Sequence, residues 1–418
     1  MDTTVFEGAR LIPGDGSAPI DNAVFLVESG QITEVGTAAE VTVPDGSTRV
    51  DLSGKTVMPL LITLHTHPGY ARGVTFSEEH YDRDTYVRQL DTFLYYGLSA
   101  VVSMGVDRGD LAFELRDEQR NGTLGGAQLF TAGQGLAATD AGPQFPALKT
   151  APRFVDTAEQ GREAMRELAQ RDPDMVKIWV DDRNGRVAKL PPDVYAAIID
   201  EAHRHDIKVM AHVYTLEDAK GLVRAGVDGF AHLVRDEVVD DELEQLILEH
   251  DVFIVSNLNV QAHPKKNTSL DDPFLHESVS ADEIAELRGA SGEGRPVSDA
   301  SLAIYRNMER SLVRLSEAGA TIAFGSDSGI PRNFIGFSEH RELELMVAAG
   351  LSPLEAIRAV TATSAGILGL DDRGTLAPGM RADFMVLASD PLEDIKNTRT
   401  IEALYREGEK LDRDALRR

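Results

Sequence analysis

His65-Thr66-His67 follows an apolar run, Val57-Met58-Pro59-Leu60-Leu61-Ile62-Thr63-Leu64. Residues i and i+2 of a β-strand project from the same face. Two imidazoles at the exit of a buried strand can therefore grip one metal ion from one side. Lys177, His212, His232 and Asp327 follow at intervals, each at the end of an apolar, β-branched run of its own. Six candidate ligands on five strand ends point to a hydrolytic metal centre at one end of a barrel.

Zinc takes imidazole nitrogen and carboxylate oxygen readily, and catalytic zinc sites keep one position open for water. Water bound there ionises near neutral pH and supplies hydroxide as nucleophile. In two-metal sites the ions stand about 3.5–4 Å apart, and an anionic group bridges them. A lysine ammonium has no lone pair with which to bridge. A lysine that has taken up CO₂ as a carbamate resembles an extended carboxylate and does. Lys177, flanked by Val176, Ile178 and Trp179, suits a buried strand position facing into a barrel. Its plain alternative is an ion pair with Asp174 or Asp181.

Asp327, in Phe324-Gly325-Ser326-Asp327-Ser328, can bind metal, take the proton of the attacking water and pass it to the leaving group. Specificity in barrels resides in the loops after the strands. There Tyr70 follows the histidine pair, Tyr214 follows His212 by two residues, and Arg235 follows His232 by three. Tyr214 is the candidate donor to a scissile carbonyl oxygen, and Arg235 the candidate bidentate partner of a substrate carboxylate. Of the other histidines, His203, His205 and His250 fall on helices facing water, and His80 and His276 on surface loops. His263 follows strand 7, where it can face the site or serve a structural role, the second being the reading preferred. His340 opens a helix near the last loop, with scaffold hydrogen bonding as one reading.

The elements that position these groups alternate. Helical stretches precede strand candidates at Leu98–Met104, Met175–Val180, Ile207–His212, Val227–His232, Val252–Ser256 and Thr321–Gly325, with a further candidate at Ala127–Ala132. With the first run these make eight, which predicts an α/β fold, a parallel (β/α)8 TIM barrel over residues 57–373 with its site at the C-terminal strand ends. Residues 1–56 and 374–418 read as short strands and turns, and predict one small β-sandwich built from both ends of the chain. Residues 261–300, polar and aperiodic, are a candidate lid, with a disordered surface insert as the alternative.

The chain has 418 residues and 42% apolar content, enough for a sizeable core. No apolar run reaches the ~20 residues that span a bilayer, and the start lacks the marks of a signal peptide, so the expected location is cytoplasmic. The absence of cysteine excludes disulfides and thiolate sites, leaving N and O ligands. A formal charge of −27 argues against nucleic acid and anionic membranes as partners. A small-molecule substrate is expected, and the barrel face away from the site leaves room for a homo-oligomer.

The ligand pattern resembles the amidohydrolase superfamily over essentially the whole chain. So do Thr361-Ala362-Thr363-Ser364-Ala365, Gly374-Thr375-Leu376-Ala377-Pro378-Gly379-Met380-Arg381-Ala382-Asp383, and His340-Arg341-Glu342-Leu343-Glu344-Leu345 with Ala349-Gly350-Leu351-Ser352-Pro353. These stretches look most like the imidazolonepropionase-like and Xaa-Pro or Xaa-Arg dipeptidase branch. The resemblance implies His65 and His67 on strand 1, a carboxylated Lys177 on strand 4, His212 and His232 on strands 5 and 6, and Asp327 on strand 8. Two zinc ions bridged by Lys177 would follow. The chain departs from the family at Leu60, where glycine is usual, and at Thr63, where an acid usually orients a ligand histidine. The expected activity is hydrolysis of an amide or peptide bond in a dipeptide-like or N-acyl amino acid. Opening of a cyclic amide and a catalytically inactive scaffold are the alternatives.

Overall fold

The computed structural model describes residues 3–262, 270–290 and 298–417. The amino-terminal segment forms β1 (Thr4–Leu11), β2 (Ile20–Glu28), β3 (Gln31–Thr37), β4 (Thr48–Asp51) and β5 (Thr56–Pro59). The parallel region follows with β6 (Leu61–Thr66), a small hairpin β7 (Ala71–Arg72) and β8 (Thr75–Phe76), β9 (Leu98–Ser103) and β10 (Gln128–Thr131). Next come β11 (Leu136–Ala137), β12 (Arg153–Phe154), β13 (Val176–Val180), β14 (Val209–Val213), β15 (Gly229–Phe230), β16 (Phe253–Val255) and β17 (Ile322–Ala323). The chain closes with β18 (Phe384–Leu387), β19 (Ile401–Arg406) and β20 (Glu409–Lys410).

Both ends of the chain join one eight-stranded sheet, ordered β20-β19-β18-β5-β1-β2-β3, with β4 beside β1. Strand alternation sorts its side chains. Phe6, Phe25, Phe384 and Tyr405 interlock on one face, with Phe6 stacked on Phe25 at 4.9 Å and Phe384 on Tyr405 at 4.6 Å. Val5, Val24 and Leu26 pack with Val41 in a separate cluster.

The apolar run expected to be one strand is two. Thr56–Pro59 pairs antiparallel with β18, Met58 opposite Met385, whereas Leu61–Thr66 pairs parallel with β9. Pro59 has no N–H to carry a ladder onward, and Leu60 N–H turns to the carbonyl of Asp383 at 3.2 Å. The break hands the chain from one sheet to the other immediately before the histidine pair.

All strand pairs along β10-β9-β6 and along β12-β11-β13-β14-β15-β16-β17 are parallel. Backbone hydrogen bonds link these two sheets on both sides. Asp174 N–H donates to Thr131 O at 2.9 Å, and Leu64 N–H and His67 N–H donate to Phe324 O and Ser328 O at 2.8 and 2.7 Å. Helices intervene where the sequence predicts them. Thr157 and Gln160 form a capping box for Ala158–Ala169, Thr215 caps Leu216–Arg224, and Asp240 caps Asp241–Glu249. The short strands β11 and β12 lie where no strand is legible in the sequence. Among the described residues no helix is long and apolar enough to cross a membrane.

Candidate functional site

β6 ends at Thr66, so His65 sits within the strand and His67 just past it. A cavity of about 430 Å³ opens at this end of the parallel strands, and His65, His67, Lys177, His212, His232 and Asp327 all line it. Each is at most 6% exposed. Ligand atoms of His65, His232 and Asp327 lie within 4.8 Å of one another. The rings of His67, His65, His232 and His212 form a chain of contacts with centroids 5.1, 4.9 and 4.6 Å apart.

Lys177 lies near the start of β13, not at its exit as the sequence suggests. Its long side chain spans the difference. Alternation puts Lys177 and Trp179 on the same inner face, and both reach the cavity. Gly105, at φ +81°, makes room for the lysine: a Cβ there would fall 2.5 Å from Lys177 Cβ. The ion pair with Asp174 or Asp181 does not form. Asp174 pairs with Arg116 and Arg120, Asp181 with Arg183 and His212, and Lys177 Nζ has no hydrogen-bond partner. Burial pushes Lys177 down to about 7, with Asp327 partly opposing the shift. A share of the amine is thus neutral near pH 7, the form that reacts with CO₂.

Burial and the neighbouring Lys177 hold His65 well below the usual histidine range. Burial and Arg235 do the same to His232. His212 is pushed down to about 3 by burial, against the pull of Asp181. For Asp327, burial favours the neutral acid, but His65, His67 and Lys177 outweigh it and hold the carboxyl ionised. Its Oδ1 stands 2.8 Å from His67 Nε2 and 3.3 Å from His65 Nε2. The imidazoles of His65, His212 and His232, held neutral, the ionised Asp327 and a buried Lys177 Nζ without a hydrogen-bond partner form a donor set that fits a divalent metal ion.

Four side chains hold this set in roles the sequence did not assign them. Asp181, four residues after Lys177, accepts from His212 Nε2–H at 3.0 Å, which leaves the lone pair of the neutral ring on Nδ1. Asn257, in the left-handed region at φ +43°, places Nδ2 3.1 Å from His65 Nδ1 and 2.9 Å from His232 Nδ1. Asp327 is itself left-handed at φ +59°, a strained backbone for a non-glycine residue. Glu339 braces it: the hydroxyls of Ser326 and Ser328, on either side of Asp327, both donate to its Oε1 at 2.8 and 2.5 Å. One turn along helix Phe337–Ala349, Glu342 accepts from Leu258 N–H and Asn259 N–H at 2.8 and 2.7 Å, bracing the loop after Asn257. Asp181 alone had a local signal, its even spacing from Lys177.

Glu342 carries a prediction for stability. Burial raises its carboxyl from 4.5 to about 7. Below about pH 4.5 the folded and unfolded chains both hold this proton; between there and pH 7 only the unfolded chain releases it. This group therefore makes stability fall as pH rises, by at most about 3 kcal/mol. Glu342→Gln is expected to shed that slope. Urea unfolding of both proteins at pH 5 and pH 7.5 measures it, and equal slopes would refute it.

The loop residues divide. Arg235 lines the cavity, 3% exposed, with its Nε and Nη2 lacking hydrogen-bond partners. Tyr70 and Tyr214 stand outside the lining, against expectation. Tyr70 is fully buried and donates to Val106 O. Tyr214 lies past the end of β14, where its ring packs 5.8 Å from the Arg235 guanidinium. Arg183 and Trp179 line the cavity unforeseen. His340 bonds Thr398 and Tyr96 O within the scaffold, and His203 and His205 pair with acids at the surface. His263 lies outside the described residues. Of the candidate lid, Gln261 lines the cavity, while Phe274 O and Ser278 are tied to the Tyr96 hydroxyl.

A family model described as the amidohydrolase family matches residues 56–411. The ochratoxinase of Aspergillus niger is 25% identical over 438 residues, covering 94% of this chain and 82% of that enzyme. The imidazolonepropionase of Deinococcus deserti is 46% identical over 86 residues, 20% of this chain and 21% of that enzyme. In fold, the chain is similar to a Xaa-Pro dipeptidase solved with bound methionine, at a TM-score of 0.78 and 20% identity over 98% of this chain and 100% of that one.

Proposed function

The chain belongs to the amidohydrolase family and is a hydrolase acting on C–N bonds; from that premise we propose that it cleaves an amide bond in a small molecule bearing a carboxylate, a dipeptide-like compound or an N-acyl amino acid. The observation that carries this reading is Arg235. Its guanidinium is buried on the cavity wall without a hydrogen-bond partner on Nε and Nη2. Burying guanidinium nitrogens without hydrogen-bond partners is costly, and a substrate carboxylate supplies the bidentate partner that guanidinium geometry suits.

We read the fold as a (β/α)8 barrel closed between β6 and the segment after β17, with the two chain ends forming a β-sandwich beside it. The backbone bonds from Leu64 and His67 to Phe324 and Ser328 support the closure. His65, His67, His212, His232 and Asp327, with Lys177 as its carbamate, would hold two zinc ions. Divalent ions bound there would activate water and polarise the scissile carbonyl. Asp327 takes the proton from the attacking water and hands it to the leaving nitrogen. Arg235 orients the substrate through its carboxylate, and Trp179 and Leu148 supply an apolar wall that excludes bulk water.

Arg235→Ala tests this reading on chain supplied with zinc and bicarbonate. KM for an N-acyl amino acid is expected to rise about 100-fold with kcat little changed, while the matching C-terminal amide shows no such rise. An unchanged KM would overturn the role of Arg235. A second reading, opening of a cyclic amide, draws on the 46% identity shared with imidazolonepropionase over 86 residues. Turnover of lactams without turnover of acyclic amides would favour it.

A further inference from the structure

The chain carries 69 acidic and 42 basic side chains, yet the cavity wall inverts that balance. Arg183, Arg235 and Arg332 line it, beside the Lys177 read above as a carbamate, and among the described residues Asp327 is the only side-chain carboxylate that does. Asp327 is already engaged with His65 and His67. The nearby Asp181 is turned to His212 and to Arg183, which it meets at 2.9 Å. No carboxylate of the described wall is left to receive a substrate ammonium.

The rest of the wall is largely apolar: Phe145, Leu148, Trp179, Val260 and Ile330. Trp179 is 4% exposed and Leu148 1%, so their surfaces are shaped by packing rather than by solvent. A free α-ammonium entering this cavity would lose its water, find no counter-charge and face guanidinium groups. An acyl group without that charge would bury against the indole and its apolar neighbours.

Resting on the amide-hydrolase reading above, we propose that the substrate is an N-acylated amino acid with no free amino group, its carboxylate on Arg235 and an apolar acyl chain along Trp179, Phe145 and Leu148. Hydrolysis then adds one water across the C–N bond. The carbonyl carbon gains oxygen and leaves as a carboxylate, and the nitrogen leaves with the protons as the ammonium of the free amino acid. The charge that the cavity cannot accommodate appears only on a product, which favours release.

A matched pair isolates the ammonium. 3-Phenylpropanoyl-L-leucine and L-phenylalanyl-L-leucine differ in that group alone. On chain supplied with zinc and bicarbonate, kcat/KM is expected to be about 100-fold higher for the acyl compound. 3-Phenylpropanoyl-L-leucinamide, which lacks the carboxylate, is expected to be poor. Calorimetry with the metal-free chain should give the same order of affinities without turnover. Equal or preferred cleavage of the dipeptide, with the carboxylate still required, would overturn the proposal and leave the amide-hydrolase reading standing. Cleavage of neither, with no difference in binding, would overturn both.

Discussion

Replacing Lys177 with alanine is expected to lower the metal content from about two ions per chain to one or none and to reduce kcat/KM by about 1000-fold. The expectation comes from the side chain's surroundings. Lys177 is 1% exposed, its Nζ has no hydrogen-bond partner, and burial brings the amine down to about 7. A buried amine left without a partner destabilises the fold unless something completes it. Uptake of CO₂ would turn that amine into an anion beside His65, whose imidazole burial holds neutral. Elemental analysis of protein prepared without chelator and supplied with bicarbonate reads the metal. A carbonyl signal from ¹³C-bicarbonate, present in the wild type and absent from the variant, reads the carbamate. One ion in both proteins, with no such signal, would reduce Lys177 to a buried amine beside a mononuclear site. No metal in either would move the inactive-scaffold alternative to the front.

Asp327→Asn is expected to lower kcat roughly 1000-fold while leaving cooperative unfolding intact. Asparagine keeps the shape and an acceptor oxygen but loses the charge and the basicity. The serine hydroxyls that brace this backbone on Glu339 do not involve the Asp327 side chain, so the strained turn at φ +59° should survive. The variant also removes one candidate ligand, and metal titration separates the two roles. If excess zinc restores both occupancy and rate, Asp327 acts as a ligand alone. If occupancy returns and the rate does not, the proton-carrying role stands.

Much of this was legible along the chain. Helix Ala158–Ala169 follows its Thr157 cap, helix Pro192–His203 opens on its prolines, and the candidate ligands close or enter apolar runs as their spacing implies. These signals are local: periodicity, caps and side-chain chemistry act over a few residues. The division of the first run had one local signal, Pro59, but nothing nearby said which sheet either half would join, since both are fully buried. Their partners, Phe384 opposite Pro59 and Leu98 opposite Leu61, decide that.

The braces were hidden for the same reason. Asn257 meets His65 across 192 positions of sequence, and nothing near Asn257 announces it. Glu339 reads as an ordinary helix acid until Ser326 and Ser328 are brought beneath it. Tyr70 and Tyr214 stood in the right loops, yet one is buried in the core and the other lies outside the cavity lining, beside Arg235. The amino-acid sequence by itself determined which side chains have the chemistry to bind a metal and that all but Lys177 gather at strand exits, because donor chemistry and strand periodicity are properties of short segments. Tertiary structure alone decided which charges are paired and which are left open. That depends on which distant groups share a low-dielectric cavity, and it is why Lys177 and Arg235 line the cavity while Tyr214 stands outside its lining.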